Sequence, residues 1–84
     1  MKNHVKVYMN HFDYVVQEEI PCEACTRPAV DIHHIWGRGK DKDVIDNLMA
    51  LCRRCHDKTG IISKDEFQMI HNYFLMGNRK IYLK

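Results

Sequence analysis

The chain has 84 residues, a length that predicts one domain burying only roughly 60–65% of the surface its unfolded chain exposes, so a stabilising staple is expected. With 45% hydrophobic and 29% charged residues the composition excludes a disordered or low-complexity chain, and no apolar run approaches the roughly 20 residues needed to span a bilayer. Net charge is only +2, too little for the whole-protein field to argue for a polyanionic partner. Met1 to Lys6 lead into no apolar signal-peptide stretch, so a cytoplasmic, reducing location is expected, with no membrane partner.

Val5, Tyr8, Met9, Phe12, Val15 and Val16 repeat at helical spacing and predict an amphipathic helix over about 4–19 that stops before Pro21. His4 and His11 are expected on or beside its polar face. Cys22-x-x-Cys25 follows. The β-branched run between Pro28 and Trp36 predicts a short strand containing Asp31, His33 and His34. Residues 36–46 hold two glycines, six charges and no usable period, and read as a long exposed loop. Leu48 to Leu51 predict a second strand packed on the first, and Arg53 to Lys58 a helical segment ending before Gly60. Ser63 and Glu66 form a capping box for a last helix over about 63–77, with Phe67, Ile70, Tyr73 and Phe74 on one face and Gly77 as its stop.

Cys22-x-x-Cys25 and Cys52-x-x-Cys55 are two knuckles with 26 residues between them, a spacing at which each offers two thiolates to one tetrahedral Zn²⁺. The competing readings are two disulfides or a redox-active CxxC, which a reducing compartment and the lack of any further cysteine disfavour. A Cys₄ site has no open position, so such a zinc holds the fold and does not catalyse. The shared ion would also bring the strand start and the helical segment together, so that His33, His34 and His56 converge. Imidazoles that fill only part of a coordination sphere leave room for water and a phosphate oxygen. Taken singly, each histidine reads more simply as a satisfied surface or core residue, and Asn47 as a turn cap.

In its ordered motif, Cys22-x-x-Cys25, Asp31-Ile32-His33-His34-Ile35, Asn47-Leu48 and Leu51-Cys52-x-x-Cys55-His56, the chain resembles the HNH endonucleases, also called ββα-metal or His-Me finger nucleases, in their Cys₄-zinc subtype. The resemblance is to small stand-alone proteins of phages and bacteria and covers residues 22–56. It implies an α+β fold: a zinc-stapled finger of two short antiparallel strands, a long loop and a helix, flanked here by the helices at 4–19 and 63–77, with 22–58 as the motif core of a single domain.

It also implies roles. His33 and His56 fall on ligands of a catalytic divalent ion (Mg²⁺, Mn²⁺, Ni²⁺ or Zn²⁺), His34 on the general base, and Asn47 on the residue that holds the loop so that the base keeps its orientation. The implied reaction is hydrolysis of DNA phosphodiester bonds with little sequence specificity; a ribonuclease or junction enzyme is a weaker variant. Arg38, Lys40, Arg53, Arg54 and Lys58 are candidate phosphate contacts, although Asp41, Asp43 and Asp46 nearly neutralise the loop. Asp31 is a possible outer-shell partner of His33 or His56, with surface solvation as its alternative. The contrasting reading is a non-catalytic zinc-knuckle module holding nucleic acid or protein. The first helix can pack on its own domain or on a second copy, and a larger phage or bacterial protein is a further partner. One difficulty stands: neighbours on a regular strand point to opposite faces, so His33 and His34 should not face one ion.

Overall fold

The computed structural model describes residues 2–39 and 41–77. Helix α1 is Asn3–Phe12, strand β1 Asp31–His34, strand β2 Leu48–Leu51, helix α2 Arg53–His56 and helix α3 Lys64–Leu75; 3₁₀ turns fill Gln17–Glu19, Ile45–Asn47 and Asp57–Gly60. The expected small α+β finger of two antiparallel strands with flanking helices is the fold observed, and no described helix is long and apolar enough to cross a membrane.

Helix α1 departs from the expected 4–19. Asp13 adopts the left-handed conformation (φ 60°) and the Tyr14 N–H closes back on the Met9 carbonyl at 2.9 Å, which ends the helix. Val15 and Val16 fit the apolar period but are 86% and 43% exposed. The chain has to turn there so that Ile20 can enter the core beside Tyr8 and Met9. His4, expected on the polar face, is buried. The last helix follows its capping box: the Ser63 hydroxyl accepts the Glu66 N–H at 3.1 Å, and Gly77 takes φ +94° beyond the C-terminus. On its inner face lie Phe67, Ile70, His71 and Phe74; Tyr73, predicted there, is partly exposed.

Strands β1 and β2 pair antiparallel in the register Asp31↔Leu51, Ile32↔Ala50, His33↔Met49 and His34↔Leu48. All four β2 residues are buried, because each face of the strand meets a different core. Met49 and Leu51 pack with Ile35, Phe67, Ile70 and the cysteines; Leu48 and Ala50 pack with Tyr8, Met9 and Ile20 of the α1 side. Directly paired residues share a face, so the register sends His33 toward the cysteine and α3 side and His34 toward α1. Ring contacts agree: His33 lies 6.0 Å from Phe67 and His34 4.6 Å from His4, centroid to centroid.

A buried polar network ties these layers. The Glu23 carboxylate accepts the Tyr8 hydroxyl at 2.5 Å and the Ala50 N–H at 3.1 Å, and its other oxygen lies 2.6 Å from His71 Nδ1. His71 Nε2 faces the Ile45 carbonyl at 2.6 Å, which can only accept, so that nitrogen carries a proton. Burial alone would lower the His71 pKa, but the hydrogen bond and charge of Glu23 outweigh it and raise the value.

Candidate functional site

The first knuckle is a tight turn closed by the Cys22 N–H to the Arg27 carbonyl (2.6 Å) and the Thr26 N–H to the Cys22 carbonyl (2.9 Å), with Thr26 left-handed at φ 69°. The second sits at the start of α2, where Cys52 is the N-cap and its sulfur accepts the Cys55 N–H at 3.4 Å. The Glu23 N–H to Ala50 carbonyl bond (2.9 Å) holds one knuckle against the strand leading into the other. All four cysteines are free thiols, and their sulfurs lie within 4.8 Å of one another. Cys25 and Cys52 sulfurs are 3.6 Å apart; at a Zn–S length of ~2.3 Å that subtends ~103°, close to a tetrahedral angle. The four cysteines are positioned to bind a metal ion, and the cluster fits a zinc-stapled finger.

Outside the cysteines, a groove of about 480 Å³ runs along the free edge of β1. Lys2 just before α1, His4 from α1, Asp31, His33 and His34 from β1, Arg38 from the loop and His56 from α2 all line it. This relieves the strand-alternation difficulty: His33 and His34 leave opposite faces, yet both reach a groove that wraps the strand edge. His33 and His56 stand ring to ring at 5.0 Å. Burial, followed by the neighbouring His56 and His34, lowers the His33 pKa to about 4, so His33 is neutral with a lone pair to give near pH 7. His56 Nδ1 is 3.1 Å from Asp31 Oδ2, and Arg53 approaches the same oxygen at 3.4 Å. Neither is aligned as a hydrogen bond, and this buried oxygen is left unsatisfied. The facing His33 and His56 imidazoles at one end of the groove are a pair that can share a divalent cation; the Asp31 oxygen lies against His56 and Arg53 and does not complete a three-ligand cluster with both rings.

His34 is enclosed on the other face, its side chain 5% exposed. Its Nε2 is 2.8 Å from Asp43 Oδ1, whose second oxygen accepts the Asn3 side-chain N–H at 3.0 Å. These two hydrogen bonds, that of Asn3 first, hold the Asp43 pKa below the usual carboxylate range. His34 Nδ1 is buried without a hydrogen-bond partner. Asn47 is buried behind the groove: its Oδ1 accepts the Trp36 N–H at 2.8 Å, and its Nδ2 donates to the Gly37 and Lys42 carbonyls at 3.2 and 2.9 Å. It therefore ties both ends of the loop to the base of β1. Trp36 is 44% exposed and donates its indole N–H to Gln68 at 2.8 Å.

Of the expected cationic contacts, Arg38 lines the groove, Arg53 and Arg54 are exposed on α2, Lys58 is half-buried in the following turn, and Lys40 lies outside the described residues. Asp43 was legible only as one of several loop acids, His4 only as part of an outlying helix, and Lys2 and Asn3 not at all; no spacing signal connects them to β1.

Residues 22–60 match the family model of the HNH endonucleases. The matched span holds both knuckles, both strands, the loop and α2, and leaves out α1 and α3 with His4 and His71. No curated protein and no solved structure matches the chain.

Proposed function

We propose that this HNH domain is an endonuclease that hydrolyses DNA phosphodiester bonds, with the chain acting as one catalytic unit. The observation that carries the reading is the meeting of His33, His34 and His56 on one groove at the free edge of β1. The Cys₄ cluster holds a structural zinc in this reading. His33 and His56, beside Asp31, hold a divalent ion, which when bound supplies charge that stabilises the scissile phosphate and the leaving oxygen.

His34 is the general base. Its Nε2–H donates to Asp43, which fixes the tautomer with the lone pair on Nδ1, and that atom has no competing donor in the protein. It takes the proton of the water that attacks phosphorus. Because Nδ1 is buried, substrate binding has to admit that water by shifting the Asp43 loop or α1. Asn47 is a positioning residue, keeping the loop that carries Asp43 against the strand that carries His34. Arg38 and Lys2, exposed beside the groove, attract the DNA backbone and read no base sequence.

The test is conversion of supercoiled plasmid by wild type and His34→Ala with Mg²⁺, Mn²⁺, Ni²⁺, Zn²⁺ or EDTA. Metal-dependent nicking or linearisation by wild type, with a loss of about 10²-fold or more in the variant, supports the reading. Failure of wild type to cut in every ion would leave a zinc-knuckle binding module.

A further inference from the structure

On the α1 face of β1, opposite His33 and His56, one ligand atom from each of His4, His34 and Asp43 lies within 4.8 Å of the others. We propose that these three residues form a second, inhibitory divalent-metal site for a late first-row ion such as Ni²⁺ or Zn²⁺. The donor set, two imidazoles and one carboxylate, suits such ions and leaves positions for water. His34 Nε2 and Asp43 Oδ1 are 2.8 Å apart; with both at ~2.1 Å from an ion they subtend ~84°, close to a 90° octahedral pair. The Asn3 amide on the second Asp43 oxygen, at 3.0 Å, orients that carboxylate as outer-shell partners of metal ligands do. His4 is supplied by a helix outside the matched HNH span.

The inhibitory consequence rests on the nuclease reading. An ion on Nε2 forces the remaining imidazole proton onto Nδ1, so His34 no longer has the lone pair that accepts the proton of water. The two ions therefore have opposite effects: one on His33 and His56 supports cleavage, and one on His4, His34 and Asp43 stops it.

Binding and inhibition are tested separately. Protein carrying His33→Ala and His56→Ala and loaded with one Zn²⁺ per chain, enough for the cysteine cluster alone, is titrated with Ni²⁺ by calorimetry, with circular dichroism as the check of fold. One Ni²⁺ per chain is expected, weakened about 10-fold or more by His4→Gln and about 10-fold by Asn3→Ala, which leaves all three ligands in place. If the double variant fails to fold, Ni²⁺ broadening of the His4 and His34 ring signals in wild-type NMR spectra replaces it. Absence of Ni²⁺ binding, absence of broadening, or unchanged affinity in His4→Gln overturns the site. In the second arm, Mg²⁺-supported plasmid cleavage by wild type is suppressed by added Ni²⁺ while His4→Gln resists. Equal suppression of both overturns the inhibitory role; if wild type does not cut at all the nuclease reading fails, and calorimetry alone decides the site.

Discussion

Replacing His71 by alanine removes the positive member of a pair whose side chains are both fully buried. Glu23 keeps the Tyr8 and Ala50 donors but loses its cation, and the Ile45 carbonyl loses its donor. Breaking a buried pair from one side costs about 3–5 kcal/mol, while a chain of this length has about 4–13 kcal/mol in total. With about 4–8 °C lost per kcal/mol, His71→Ala should melt roughly 12–40 °C below wild type, or fail to fold. Glu23→Gln should behave differently. The glutamine oxygen still accepts from Tyr8 and Ala50, its amide donates to a neutral His71 Nδ1, and His71 Nε2–H still donates to Ile45. All four contacts survive without a buried charge, so the cost should be about 1 kcal/mol or less. The sign with pH follows from the raised His71 pKa: its contribution is full below about 6.5, the unfolded value, and is lost as pH rises through the folded value. The advantage of wild type over Glu23→Gln should therefore shrink as pH increases. Thermal and urea unfolding of zinc-saturated protein across pH measure both quantities. Equal damage by Glu23→Gln and His71→Ala, or an advantage that grows with pH, would refute this account of the network.

Asn47→Ala leaves the Trp36 N–H and two loop carbonyls without their side-chain partner, so a loss of about 1–3 kcal/mol is expected, read by urea denaturation, with plasmid cleavage falling further than DNA binding. Stepwise chelation should abolish cleavage before helical dichroism is lost, because fewer protein ligands hold the groove ion than the four thiolates hold the structural one; simultaneous loss would mean a single site. The folded His33 pKa, about 4, lies below its unfolded value, so the unfolded chain takes up protons first and this residue makes the fold less stable as pH falls from about 6.5 toward 4. His33→Gln should flatten that part of the acid limb relative to wild type in unfolding measurements on zinc-saturated protein.

Local chemistry made much of this molecule readable from its residues. The CxxC spacing announces the metal cluster, the β-branched run announces β1, and Ser63 with Glu66 announces the start of α3, because each depends on neighbours close along the chain. The end of α1 was not readable. Val15 and Val16 continue the apolar period, and only the need to bring Ile20 into the core beside Tyr8 turns the chain at Asp13. Nor did strand alternation reveal that His33 and His34 share a groove, since that depends on β1 having a free edge. The pairings of Glu23 with His71, and of His34 with Asp43 and His4, join residues from separate elements. The sequence by itself determined the knuckles and the strands and singled out His33, His34 and His56 but not His4, since those rest on residue type and short spacing. Tertiary structure alone decided which polar groups are sealed from water and with whom, because burial and partnership depend on how distant segments meet.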